Sequence, residues 1–233
     1  MPESLTPLGP GDLVLCDFDG TISVADTGIE VITRLELAAA WDLEYQWRRG
    51  EIGSQACLAA QWGLVQMSRE RLEALLDDLP LDENFPAFVD LCRTRGVHLA
   101  ILSDGLDLYM YPMLRRLGLQ GCPGTIPLAP LNGCVPVFVN HAEWTPEGVR
   151  VEFPLASAEC SDCGNCKTQR LQDLRPSYER ILYLGDGYSD MCPARHADVL
   201  FAKTQSHLAE FCRREGLPCE EFSDFAEVLR KLS

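Results

Sequence analysis

An α/β fold, in which helices cover a parallel sheet and a helical insertion and a small β-hairpin are added, is predicted by three observations on the 233-residue sequence. Short apolar runs at 13–16, 97–102, 181–184 and 199–202 are each followed by polar or helix-starting residues. Their apolarity is continuous rather than alternating, as in strands buried on both faces, and strand-then-helix alternation builds an α/β sheet. Between residues 22 and 83 the apolar positions recur at helical spacing instead.

The first run ends at Asp17-Phe18-Asp19-Gly20-Thr21. An insertion over 25–83 follows at once, which leaves 1–24 and 84–233 as the core. Within it Ile29, Ile32 and Leu35, then Leu58, Trp62 and Val65, then Leu72, Leu75 and Leu76 repeat like buried helix faces, with Ser54 and Ser68 as N-caps. Roughly four helices are expected, placed to lie over the first motif as a lid. Asn84 reads as the cap of a helix running to Arg95, which Gly96 ends ahead of the 97–102 strand. The stretch 121–159 is rich in Pro and Gly. It carries apolar segments at 135–139 and 149–153 and a turn at Thr145-Pro146-Glu147-Gly148, which predict one more sheet strand and then a hairpin.

A net charge of -15 argues against nucleic acid or an anionic membrane surface as the main partner, because both would be repelled. An anionic substrate therefore needs a locally positive pocket. No stretch approaches the ~20 apolar residues of a membrane span. Residues 1–12 have neither the basic start nor the apolar run of a signal peptide, so a cytoplasmic protein is expected. Eleven cysteines are an odd number, and Cys16, Cys57 and Cys92 lie inside apolar stretches, so no disulfide framework is expected.

Four segments carry chemistry, each where an apolar run gives way to Gly, Ser or Asp. Asp17 and Asp19, two residues apart at a strand end, point to the same side of the chain. One carboxylate there can attack phosphorus while the other protonates the leaving oxygen and later deprotonates water. Gly20 permits a tight turn whose amides face a phosphate. Gly185-Asp186-Gly187-Tyr188-Ser189-Asp190 adds two carboxylates at another strand end, and hard oxygen donors of this kind suit magnesium. Ser103-Asp104-Gly105 follows the 97–102 strand, where the Ser103 hydroxyl and the next amides at a helix N-terminus can hold a phosphate oxygen. Lys167 supplies the positive charge.

These four motifs, in this order, resemble those of the haloacid dehalogenase superfamily. The resemblance implies a Rossmann-like parallel core, a magnesium-dependent phosphatase and a small phosphorylated metabolite as substrate. It makes Asp17 the nucleophile, Asp19 the general acid and base, and Ser103, with Asp104 and Gly105, the phosphate-binding segment. Lys167 then stabilises the phosphoryl group, and Asp17, Asp19, Asp186 and Asp190 form the metal site. The insertion resembles the cap of phosphoserine-phosphatase-like members, where Asp26 would be an acidic substrate contact at the hinge. A narrower likeness, over 103–112, Asn140-His141-Ala142, Cys163 to Lys167 and 197–225, is to phosphatases of methionine salvage and, more faintly, of phosphoethanolamine and phosphocholine. Asp104 stands where methionine-salvage and phosphoserine phosphatases carry Gly. A phosphotransferase using the same intermediate and a non-catalytic metal-binding module are the competing functions.

Cys160-x-x-Cys163-x-x-Cys166 directly precedes Lys167, with a spacing that suits thiolate coordination of zinc or an iron–sulfur cluster. His141 or Cys134 could supply a fourth ligand. The other reading, which the missing fourth ligand favours, is three reduced thiols around a Gly-containing turn. In the insertion Trp41, Tyr45, Trp47, Arg48, Arg49 and Trp62 could face a substrate, but aromatics at helical spacing are more often core. His98 and His207 read as ordinary strand and helix residues.

Overall fold

The structure, a computed structural model, describes residues 5–146, 148–160 and 163–233. Glu147 of the expected turn and residues 1–4 of the N-terminal stretch lie outside them. The chain begins with β1 (Asp12–Cys16) and then makes four helices, α1 (Thr27–Arg34), α2 (Ala38–Arg48), α3 (Ser54–Gly63) and α4 (Arg69–Asp77). It continues through α5 (Phe85–Thr94), β2 (His98–Leu106), α6 (Asp107–Arg116), β3 (Gly121–Pro123), β4 (Val135–Thr145) and β5 (Gly148–Glu152). The last third holds α7 (Lys167–Leu174), β6 (Arg180–Gly185), α8 (Met191–Ala194), β7 (Val199–Lys203), α9 (His207–Glu215), β8 (Glu220–Phe222) and α10 (Phe225–Leu232).

Seven strands form a parallel sheet in the order β3-β4-β2-β1-β6-β7-β8, and β5 pairs antiparallel with β4. Successive residues of β1 feed opposite layers. Val14 and Cys16 join the core beneath α5, α6 and α10, whereas Leu13 and Leu15 join the core beneath α7 and α9. The same alternation recurs in β2, with Leu99 and Ile101 against Ala100 and Leu102, and in β6, with Leu182 and Leu184 against Ile181 and Tyr183. Both faces are covered, which is why these runs read as continuously apolar. Each large side chain buried this way contributes about 1.5–3 kcal/mol over an exposed one.

The insertion leaves and re-enters the core at one point. Ser23 bridges Leu81, the Val24 amide donates to the Pro80 carbonyl at 3.0 Å, and the Asp82 amide donates to the Ile22 carbonyl at 2.9 Å. Asp26 caps α1 by accepting from the Ile29 amide at 2.9 Å, and Ser68 caps α4 by accepting from the Arg71 amide at 3.3 Å. Trp62 is buried, as expected of core, while Trp41 pairs with Tyr45 at 5.9 Å and Tyr45 stays half exposed.

Several sequence expectations are corrected. Ser54 is not a cap: Gly53 takes that position and Ser54 opens α3 with its hydroxyl donated to Asp104. Asn84 holds the cap position of α5 but its side chain donates to Asp82. The expected strand at 97–102 runs on to Leu106, so Ser103, Asp104 and Gly105 lie within β2 and the next helix starts only at Asp107. The sheet strand and the first arm of the hairpin are one strand, because β4 outruns β2 and its far half pairs with β5 from His141 to Thr145. Cys122 and Cys134 form a disulfide between β3 and the start of β4, where none was expected.

Candidate active site

β1 lies between β2 and β6 with Cys16 level with Ile101 and Leu184, so the chain leaves all three strands at one edge of the sheet. Asp17, the Ser103 segment and Asp186 therefore converge at the carboxyl ends of adjacent parallel strands, where open α/β sheets bind ligands. Lys167, the first residue of α7, reaches the same point from one layer below, and its Nζ lies 2.8 Å from Asp17 Oδ2 and 2.7 Å from Asp190 Oδ1. It also donates to Ser189 Oγ at 3.0 Å.

The carboxylates have different surroundings. Carboxylate oxygens of Asp17, Asp186 and Asp190 lie within 4.8 Å of one another. Asp190 is fully occupied by protein donors: Oδ1 accepts from Lys167 Nζ and the Tyr183 hydroxyl, and Oδ2 accepts from the Asp186 and Gly187 amides at 2.9 Å each. Its roughly four acceptor sites are thereby used, which leaves Asp17 and Asp186 as the carboxylates open to a cation. Two hard carboxylate oxygens suit magnesium, which takes its remaining ligands from water and phosphate. Asp186 is held by the Thr21 hydroxyl at 3.1 Å. Gly20, at φ +72°, allows that approach, since a Cβ there would lie 2.3 Å from Asp186 Oδ2.

Asp19 turns the other way. It accepts from the Thr27 amide at 3.0 Å and from the Tyr109 hydroxyl at 2.6 Å. Its carboxylate is thus outside the cluster to which the sequence assigned it. Gly105 makes room here, because a Cβ would stand 2.1 Å from the Tyr109 hydroxyl and 2.6 Å from Asp19 Oδ2.

Burial sets the protonation of the site, and neighbouring charges modify it. Burial, then the Asp190 charge, pushes Asp17 well above the ordinary carboxylate range, against the opposing pull of Lys167. Burial would raise Asp190 as well, but the Lys167 ammonium outweighs it and holds Asp190 below that range. Lys167 loses stability as a cation through burial and regains more from Asp17 and Asp190, so it stays protonated. Burial and the Asp190 charge push Asp186 up to about 7. Burial also raises Asp19, although Thr27 and Tyr109 restrain the rise.

Above these groups lies a cavity of about 310 Å³. The core lines it with Asp17, Asp19, Ser103 and Asp186, and the insertion closes it with Glu44, Trp47, Arg48 and Trp62. Trp62 stacks on Tyr109 at 5.7 Å, and Trp47 meets Tyr188 edge-on at 5.9 Å. Glu44 is 5% exposed and accepts from Arg48 Nε at 2.8 Å and Gln61 Nε2 at 3.2 Å. Asp26 lines the mouth of the cavity and is itself exposed there.

Asp104 and Ser103 face the cavity but do different things. Ser103 is buried and its hydroxyl accepts from the Gly105 amide at 3.0 Å. The Asp104 carboxylate accepts from Ser54, from the Asn165 amide at 2.7 Å and from Asn140 Nδ2 at 3.2 Å, so it joins β2, the insertion and the segment before Lys167. The Sγ atoms of Cys160, Cys163 and Cys166 gather within 4.8 Å of one another. Neither expected fourth ligand joins them: Cys134 is bonded to Cys122, and His141 Nδ1 pairs with Asp107 Oδ2 at 2.6 Å.

Sequence reasoning missed Thr27, Tyr109, Glu44, Tyr183 and Asn165, whose roles depend on contacts far along the chain. His207 was read as ordinary, yet it stacks on Tyr188 at 4.2 Å in the cavity wall. Glu44 alone left a trace, as an acid four residues before Arg48 on a helix beside a buried Ala40. Arg49 turns outward to Glu51.

Paired carboxylates at the end of a central parallel strand, a buried lysine across from them and a cavity closed by an insertion define an α/β enzyme of the hydrolase class. A model of the haloacid dehalogenase-like hydrolase family matches residues 14–195, and the chain belongs to that family. It is 27% identical over 220 residues to a 2-hydroxy-3-keto-5-methylthiopentenyl-1-phosphate phosphatase of Bacillus pumilus, covering 93% of this chain and 88% of that one. Among solved structures it superposes on a HAD family hydrolase of Salmonella enterica serovar Typhi with a TM-score of 0.72 at 20% identity, over 97% of this chain and 72% of that one. A phospho-aspartyl intermediate analogue of phosphoserine phosphatase follows, with a TM-score of 0.69 at 17% identity, over 96% and 100%. These two likenesses show the fold.

Proposed function

We propose that this protein is a magnesium-dependent phosphatase that hydrolyses a small-molecule phosphomonoester through an aspartyl-phosphate, an acyl phosphate formed on Asp17. The observation that carries this reading is the division of one motif: Asp17 faces Lys167 and the Asp186 cluster, whereas Asp19 faces Tyr109 and the cavity. In the first step an Asp17 oxygen bonds to phosphorus as the P–O bond to the leaving alcohol breaks, and Asp19 gives its proton to that oxygen. In the second, water attacks the phosphorus, Asp19 takes the water's proton, and the P–O bond to Asp17 breaks to release inorganic phosphate. The raised value of Asp19 suits it to the first duty.

Asp17 and Asp186 would hold magnesium, with Asp190 ordering both Asp186 and Lys167. Bound there, the ion supplies charge neutralisation to the carboxylates and the phosphoryl oxygens. Lys167 and the Ser103 hydroxyl bind the phosphate. Residues 25–83 serve as a cap over a core of 1–24 and 84–233, with Asp26, Glu44 and Arg48 toward the leaving group. Enclosure by the cap keeps bulk water from the ester. A cytoplasmic location is part of this reading.

Phosphate release from a panel of small phosphomonoesters tests it, and the compound for which the Bacillus pumilus relative is named belongs in that panel. Release is expected with magnesium and not with chelator, and Asp17→Asn should lower it by at least ~10³-fold. Full activity in chelator or in Asp17→Asn would sink the reading.

A further inference from the structure

The segment before Lys167 holds a second cluster of metal-ligating side chains that the phosphatase reading does not use. Cys160, Cys163 and Cys166 recur every third residue, and their Sγ atoms all lie within 4.8 Å of one another, with Cys160 and Cys163 at 3.3 Å. Zinc bonded to thiolates at about 2.3 Å requires its sulfurs ~3.8 Å apart in a tetrahedron, so this cluster needs only small side-chain adjustments to close on one ion. Cys166 is also the N-cap residue of α7, so the cluster sits directly against the start of the helix that carries Lys167.

We propose that Cys160, Cys163 and Cys166 form a zinc-class thiolate site, with water in the fourth position, that fixes the segment presenting Lys167. What surrounds the cluster gives the site its purpose. Among the described residues between Phe153 and Cys166, the Ala156 amide donates to the Phe153 carbonyl, the Cys160 amide to the Ser157 carbonyl, and the Cys166 amide, at 3.4 Å, to the Leu155 carbonyl. Cys163, Gly164 and Asn165, just before Lys167, are tied to distant parts of the chain. Gln55 Nε2 donates to the Cys163 carbonyl at 2.9 Å, the Gly164 amide donates to Ser54 Oγ at 3.2 Å, and Asn165 Nδ2 donates to the Ser103 and Phe138 carbonyls. One short segment thus touches the insertion through α3, the Ser103 motif, and the lysine that meets Asp17. An ion joining Cys160 to Cys166 would brace that junction from outside, because binding free energy at such a site goes into ordering the chain that carries it. The two clusters differ in chemistry: oxygen donors at Asp17 and Asp186 select magnesium, and sulfur donors select the softer ion.

The test uses the full-length reduced protein, with magnesium in excess so that the carboxylates are satisfied. Titration with cobalt(II) should raise a thiolate-to-metal charge-transfer band in the near ultraviolet that saturates at one equivalent and is bleached by one equivalent of zinc. Zinc should protect Cys160, Cys163 and Cys166 from alkylation, read peptide by peptide in a mass spectrometer, while the exposed Cys192 stays reactive. Cys163→Ser and Cys160→Ser should lose the band, and Asp186→Asn should keep it. A reduced, folded wild-type protein that shows neither band nor protection overturns the proposal without recourse to any variant. So does a band that persists in both serine variants. Failure of the phosphatase reading would leave these results untouched, because no readout depends on turnover.

Discussion

Asp19 is a raised carboxyl at the cavity, and its partner Tyr109 offers a direct test of its role. The Tyr109 hydroxyl donates to Asp19 and so holds its pKa down. Tyr109→Phe removes that restraint, and a general acid that stays protonated to higher pH should carry the alkaline limb of kcat/KM upward, with kcat falling about tenfold. An unmoved limb would show that Asp19 is not the acid.

At the scale of elements, the strands were legible where burial on both faces leaves continuous apolar runs, as in β1, β2, β6 and β7. The short edge strands β3 and β8, three residues each, have no periodicity to detect. β4 was divided in two because its first half lies in the sheet and its second half pairs with β5, a change of partner that composition does not reveal. Ser54 was taken for a cap because its local pattern fits one, whereas a contact fifty residues away in sequence determines its role. That contact is the joint between α3 and the core: Ser54 donates to Asp104 and accepts from the Gly164 amide. Ser54→Ala leaves both groups short of a partner and should cost about 1–3 kcal/mol at the joint. The expected consequence is a several-fold rise in KM with kcat less affected, which steady-state kinetics against a turned-over phosphomonoester would read. Equal effects on both constants would place Ser54 in the chemistry instead.

For the molecule as a whole, a net charge of -15 is carried by a chain that concentrates further carboxylates in its cavity. Crowding of Asp17 and Asp186 disfavours the folded state until a cation joins them, so magnesium at a hundredfold excess over its dissociation constant should stabilise the protein by about 2.7 kcal/mol. That amounts to a rise of ~5–10 °C in melting temperature, absent in Asp186→Asn. The motifs of this site were legible because catalysis demands particular residues at strand ends. The groups that orient them, Tyr109, Thr27, Tyr183 and Asn165, were not, since many residue types could fill such places and only the fold selects among them.

The aspartyl-phosphate on Asp17 is the claim on which the rest depends. Acid-quenched turnover of a phosphomonoester labelled in its phosphate, followed by digestion and mass spectrometry, should place the label on the peptide that contains Asp17 and remove it in Asp17→Asn. Turnover that releases phosphate with no labelled peptide, or with the label on any other residue, would contradict the account.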